Sequence, residues 1–246
     1  MRKIVVLAAF LSLTLASVHA QQLRGDVRFG FQMSPAFSWM EANTNRINTS
    51  GTNLGLKLGM VGEYYFQENY AISSGIGFFF NTGGTLLHER RGNYWENSEL
   101  PELCREELAS REGAKLKYSM QYVEIPVGLK MRTREFGYVR YFVEPNLGLG
   151  FRTQAKGDIT NRGGEECQDL NIRSDVRLFN LFWGIGGGIE YSVSENTSLI
   201  GGLGMQFGFA DVTKNNNDKV ILPDRTIDER SKGVIRALVL RLGVMF

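Results

Sequence analysis

The end of this chain alternates. Val234, Arg236, Leu238, Leu240, Leu242, Val244 and Phe246 share one parity, apolar in all but one position. Ile235, Ala237, Val239, Arg241, Gly243 and Met245 between them are smaller and more mixed. A period of two is an extended strand with two unlike faces. The same pattern recurs along the chain, with bulky apolar residues on one parity and glycines and charges on the other. A closed sheet in lipid requires this pattern, because it pairs every backbone group internally and turns one parity to the hydrocarbon.

Eight such segments are legible, at about 28–40, 53–66, 70–81, 118–132, 138–152, 178–193, 197–211 and 233–246. The connections at 67–69, 133–137 and 194–196 are short. Those at 41–52, 82–117, 153–177 and 212–232 are long. Short turns at one end and long loops at the other predict an all-β, eight-stranded antiparallel up-and-down barrel of the outer-membrane type. An even strand number sets both termini on the periplasmic side with the short turns. Aromatics gather at both ends, as interfacial girdles do: Tyr64, Phe66, Tyr70, Phe136, Tyr138, Tyr141, Tyr191 and Phe246 near the turns, and Trp39, Phe80, Phe151, Phe179 and Phe209 near the loops.

The N-terminus reads as a signal peptide over residues 1–20, with the barrel over 21–246. Arg2 and Lys3 form a basic n-region, residues 4–15 a short apolar stretch, and Val18-His19-Ala20 a cleavage site. The 28 basic residues exceed the 26 acidic ones by Arg2 and Lys3, so the processed chain is formally neutral. That gives no electrostatic case for nucleic acid. A soluble eight-stranded barrel is the structural rival. It would have to pack about six large side chains from each strand into an interior that ordinary side chains already fill. Its water-facing parity would be rich in the chain's 29 glycines. Those glycines suit a cramped lumen better.

The inward parity carries Arg28, Lys57, Glu63, Glu124, Lys130, Arg140, Glu144, Arg152, Glu190 and Arg241. Charges in a narrow bore must pair. They form either a plug of salt bridges or the lining of a gated pore, and the small bore favours the plug. Arg140 and Lys130 are the first candidates to partner Glu124. Cys104 and Cys167 fall in the second and third long loops. An even count in an oxidising compartment favours a disulfide between them. Residues 99–111 read as a short helix, with a disordered acidic loop as the alternative. His88 is the one histidine after the signal peptide, at the root of a loop, and reads as an ordinary surface residue. With no histidine beside a nucleophile and no metal-ligand spacing, the sequence points to a protein without enzymatic activity, cofactor or metal.

Tyr122-Val123-Glu124-Ile125-Pro126-Val127-Gly128-Leu129-Lys130 resembles the Leu-Glu-Ile-Pro-type strand of PorT-family outer-membrane barrels of Bacteroidota. Residues 141–150, an aromatic start leading into a glycine-rich run, resemble that family's next strand. The resemblance covers the whole processed chain in layout and is specific over these two strands. It implies an outer-membrane protein without catalytic residues. The chain length and the cysteine-bearing loops resemble the members needed for type IX secretion of cargo such as surface proteases. It also implies that Glu124, Lys130 and Glu144 belong to an inner charge network. Pro126, inward on the same strand, suggests a local bulge. Three roles stay open: an accessory of secretion acting through other envelope proteins, a stand-alone surface barrel with adhesive loops, and a small pore. The expected partners are outer-membrane lipid, barrel-assembly machinery reading the strand that ends in Phe246, and envelope proteins of a secretion system.

Overall fold

The computed structural model describes residues 26–161 and 163–246; the expected signal peptide lies outside them. In chain order the strands are β1 (Asp26–Ala42), β2 (Ile47–Gln67), β3 (Tyr70–His88), β4 (Gly92–Asn93), β5 (Ala114–Arg132), β6 (Val139–Ile159), β7 (Leu170–Asn171), β8 (Phe179–Ser192), β9 (Ser198–Gly208), β10 (Lys219–Ile221), β11 (Thr226–Asp228) and β12 (Gly233–Met245). One helix, α1 (Glu102–Ser110), lies between β4 and β5. Eight long strands pair in the cyclic order β1-β2-β3-β5-β6-β8-β9-β12, every pair antiparallel, and β12 closes on β1.

The alternation becomes two faces. Phe37 lies opposite Leu54 on one side and Leu238 on the other, all three pointing outward. Phe31 is 60% and Trp183 46% exposed, within a belt of similar residues that runs round the ring. An apolar band this continuous is not a water-facing surface; it is the lipid face of an outer-membrane barrel. Exposed aromatics mark its edges, with Phe136, Tyr138 and Tyr191 at the short turns and Phe179 and Phe209 at the other end. On the inner wall glycines let strands and side chains approach. A Cβ on Gly188 of β8 would lie 2.6 Å from the Cα of Gly202 on β9.

The strands run further outward than the sequence pattern suggests. The loop expected at 41–52 is a turn at 43–46 between β1 and β2, and β3, β5 and β6 extend into the expected loops. The alternation hides this because it changes phase. A bulge between Phe79 and Thr82, with Asn81 at φ 54°, moves the buried parity of β3 from odd to even residues. A second bulge, at Gln121/Tyr122 in the β5–β6 ladder, accompanies the opposite change on β6, from even to odd residues. Pro126 causes no bulge. The β3–β5 ladder skips Ile125 and Pro126 and resumes in unchanged register. A proline has no N–H to donate, so it leaves a gap. Pro35 in the β1–β12 seam and Pro145 in the β5–β6 ladder leave gaps of the same kind.

Inside this outward extension sits a second, apolar core. Trp95, Leu108, Leu116, Tyr118, Met120 and Ile172 are buried together. The indole of Trp95 stands edge-on to Tyr118 at 5.4 Å and fits over Gly157, where a Cβ would lie 2.7 Å from the ring. Helix α1, shorter than the expected 99–111, buries Cys104 and Leu108 against this core. The sheet β11-β10-β4 lies over the mouth. Cys104 is bonded to Cys167 with Cα atoms 5.7 Å apart, joining the second and third external loops. The long loops are therefore a folded cap, not loose ends.

Candidate functional site

The bore is filled at two levels. The periplasmic half holds the charges. Lys130 Nζ lies 2.7 Å from Glu63 Oε1 and also contacts Glu190. These three side chains are 1–2% exposed. Arg132 and Arg28 approach the other oxygen of Glu190 at 3.5 and 3.7 Å. Arg28 also donates to Ser198 at 2.8 Å, and the Tyr65 hydroxyl donates to Glu63 at 2.7 Å. Elsewhere in the bore, Arg241 grips Glu144 through two nitrogens at 2.8 and 3.3 Å, and Ser73 donates to the same carboxylate at 2.9 Å. Lys57 lies 2.6 Å from Glu124 and contacts Gln206, whose amide donates back to Glu124 at 2.9 Å. The Lys57 ammonium also sits 4.4 Å from the Phe79 ring centre.

Four carboxylates thus meet five cations, each buried acid with a base at hand. The pocket between Lys57, Glu124, Gln206 and Arg241 has a volume of about 110 Å³, room for a few waters. Beyond Phe79 and Phe182 the apolar core of the cap takes over.

Two inward-parity charges lie outside this network. Arg140 pairs with Glu135 of a periplasmic turn at 2.5 Å, because it is close enough to the strand end to turn toward the rim. Arg152 reaches outward and donates to the carbonyls of Arg173 and Val176. Neither Arg140 nor Lys130 partners Glu124. Lys130 is six residues along the same strand, roughly 20 Å away, whereas β2 is next but one in the ring and presents Lys57 at the right height. Sequence reasoning missed Arg132, Gln206, Tyr65, Ser73 and Ser198. All five stand on the inward parity: Arg132 is a charge at the end of its strand, and counting neutral polar residues as well as charges would have found the other four.

His88 is not a surface residue. It is buried in the cap, 4.1 Å from the Tyr94 ring, with neither nitrogen hydrogen-bonded. It lies well beyond the apolar belt, and burial lowers its pKa to about 3. It is a neutral residue packed in the cap.

A closed antiparallel ring, an apolar outer belt between aromatic girdles and a charged inner wall define an integral outer-membrane β-barrel. The chain belongs to the outer membrane protein β-barrel domain family, which matches residues 19–214. Among curated proteins there is no match. Similar solved structures include Neisserial surface protein A, at 13% identity over 89% of this chain and 95% of that one, TM-score 0.47. The attachment invasion locus protein Ail of Yersinia pestis is similar at 12% identity over 90% and 99%, TM-score 0.37. The outer membrane protease OmpT of Escherichia coli is similar at 6% identity over 92% and 97%, TM-score 0.41. Likenesses at this level carry no functional information for this chain.

Proposed function

We propose that the barrel is a sealed mount rather than a conduit. It holds the disulfide-bonded cap at the cell surface and acts, without enzymatic activity, through contacts with other envelope proteins. The observation that carries this is the bore, filled by a paired charge network in one half and by the cap's apolar core in the other. The resemblance of residues 122–130 and 141–150 to PorT-family strands supports a more specific role as an accessory of type IX secretion. Deleting the gene and assaying secreted protease cargo tests that role. Loss of cargo, restored by the intact chain, is expected; unchanged secretion refutes it.

A second reading is favoured by where the elaboration lies. The periplasmic turns are short, while α1, the small sheet and the disulfide all sit outside. A stand-alone surface barrel that adheres through its cap uses that asymmetry directly. Intact secretion combined with loss of adhesion on deletion would select it. For the pore reading, steady conductance of the purified barrel in a planar bilayer would overturn the sealed mount. We also infer that assembly machinery takes up the final strand. Phe246 ends it facing lipid, and its backbone exchanges hydrogen bonds with Phe29 at 2.7 and 3.2 Å.

A further inference from the structure

A charged cleft on the outer rim is used by neither the lumen nor the cap core. It opens between the outer ends of β6, β8, β9 and β12, with a volume of about 890 Å³. Five basic residues line it, Arg152, Arg173, Arg177, Lys214 and Lys232, against one acid, Asp211.

The acid is already occupied. One Asp211 oxygen accepts from the Thr213 and Gly233 amides, both at 3.1 Å, and from the Thr213 hydroxyl at 2.8 Å. The other pairs with Arg177 at 3.2 Å. Arg177 is fixed further by donating from Nε to the Thr213 carbonyl at 2.9 Å. Arg152 holds the 173–176 segment through its carbonyls. The cleft is thus built on hydrogen bonds among three separate segments. Arg173, Lys214 and Lys232 are exposed and make no ion pair with an acid among the described residues. A surplus of four positive charges faces outward.

The floor has different chemistry. Leu178, Phe179 and Ala210 line the cleft's inner edge, and Leu178 and Phe179 are exposed. Phe179 packs edge-on against Phe151 at 5.4 Å, in the aromatic girdle that ends the apolar belt. One edge of the cleft therefore touches hydrocarbon, and the cations stand just beyond it, at headgroup height. The complement is an amphiphile with an acidic head and an acyl chain. A phosphate monoester carries about −1.5 to −2 charges near pH 7, so two of them match the surplus.

We propose that this cleft binds the head of a bisphosphorylated outer-leaflet glycolipid, the phosphates on Arg173, Lys214 and Lys232 and an acyl chain over Leu178 and Phe179.

The test uses the purified, refolded full chain in neutral detergent, with bound lipid read by native mass spectrometry. Bisphosphorylated lipid A is titrated beside its dephosphorylated form, phosphatidylcholine and inorganic pyrophosphate. Wild type should retain the bisphosphorylated lipid at least tenfold better than the dephosphorylated form or phosphatidylcholine. Lys214→Glu with Lys232→Glu should remove that preference while the heat-dependent gel shift of the barrel persists. If charge reversal prevents folding, the Lys→Gln pair should lower retention several-fold and the Lys→Arg pair should keep it. Equal retention of the dephosphorylated lipid, or no effect in either the Glu or the Gln pair, overturns the proposal. Pyrophosphate binding as tightly as the lipid also overturns it, since the site would then take soluble anions without needing a membrane lipid.

Discussion

Replacing Lys130 with Met is the sharpest test of the lumen network. The change keeps most of the side-chain volume and removes the ammonium. Lys130 is fully buried and, among the described residues, is the one cation touching Glu63, at 2.7 Å. Glu190 would keep Arg132 at 3.5 Å and Arg28 at 3.7 Å. Among the described residues, Glu63 would keep only the Tyr65 hydroxyl at 2.7 Å. Removing one partner of a buried pair typically costs about 3–5 kcal/mol, because the remaining charge is stranded. The loss should fall in that range and come mainly from Glu63. Adding Glu63→Gln to Lys130→Met should therefore recover most of it, since the neutral amide still accepts from Tyr65. The assay is urea unfolding of the refolded chain in lipid vesicles, followed by tryptophan fluorescence and by the gel shift between folded and boiled forms. A loss under about 1 kcal/mol for Lys130→Met, or no recovery in the double variant, would refute the reasoning, on the scale expected for a broken buried pair.

Substituting Arg for lipid-facing Leu240 should cost about 2–4 kcal/mol in the same unfolding assay. Arg for Ala237, buried with Ala36, Phe79 and Val239, should instead prevent the folded band from forming on gels. Replacing Cys104 and Cys167 with Ser opens a closed loop spanning a sequence separation of 63. That should weaken the cap by roughly 4 kcal/mol on chain entropy, seen as faster proteolysis of the cap with the barrel band intact. The pH response of the cap should be flat over mildly acid pH, because two groups oppose each other. Burial lowers His88 from 6.5 to about 3, so its contribution is full above 6.5 and falls as pH drops toward 3. Burial, with Asp175 and Glu229 nearby, raises Asp218 from 3.8 to about 7, against amide hydrogen bonds from Glu96 and Trp95. Its contribution is full below 3.8 and is lost as pH rises through 7. Asp218→Asn should expose the His88 limb, so that hydrogen-exchange protection factors in the cap, corrected for the intrinsic exchange rate at each pH, fall on acidification from pH 6.5 to 4, the window between the two unfolded values. An unchanged flat profile in that variant would refute the pairing of the two effects.

The alternation of residues 233–246 was sufficient to give a strand, its lipid face and, repeated eight times, a barrel in a membrane. That is local information: side chains on a strand take opposite faces by geometry alone, so parity fixes facing without knowledge of neighbours. Parity also placed Glu63, Glu124, Lys130, Glu144 and Glu190 in the bore. What it could not give was pairing. Lys57 meets Glu124, and Arg241 meets Glu144, through the stagger of strands that are not adjacent in sequence, a property of the closed ring. The bulges at Phe79/Thr82 and Gln121/Tyr122 hid the outward extension, because each breaks the period that made the strands legible. The burial of His88 and the assembly of Arg173, Lys214 and Lys232 into one cleft were likewise invisible, since each depends on loops packing across the mouth. Sequence alone determined the class of environment each strand faces, because that is written residue by residue. Only the tertiary structure decided which charges neutralise one another and which are left exposed, because charges in a barrel meet across the ring and not along the chain.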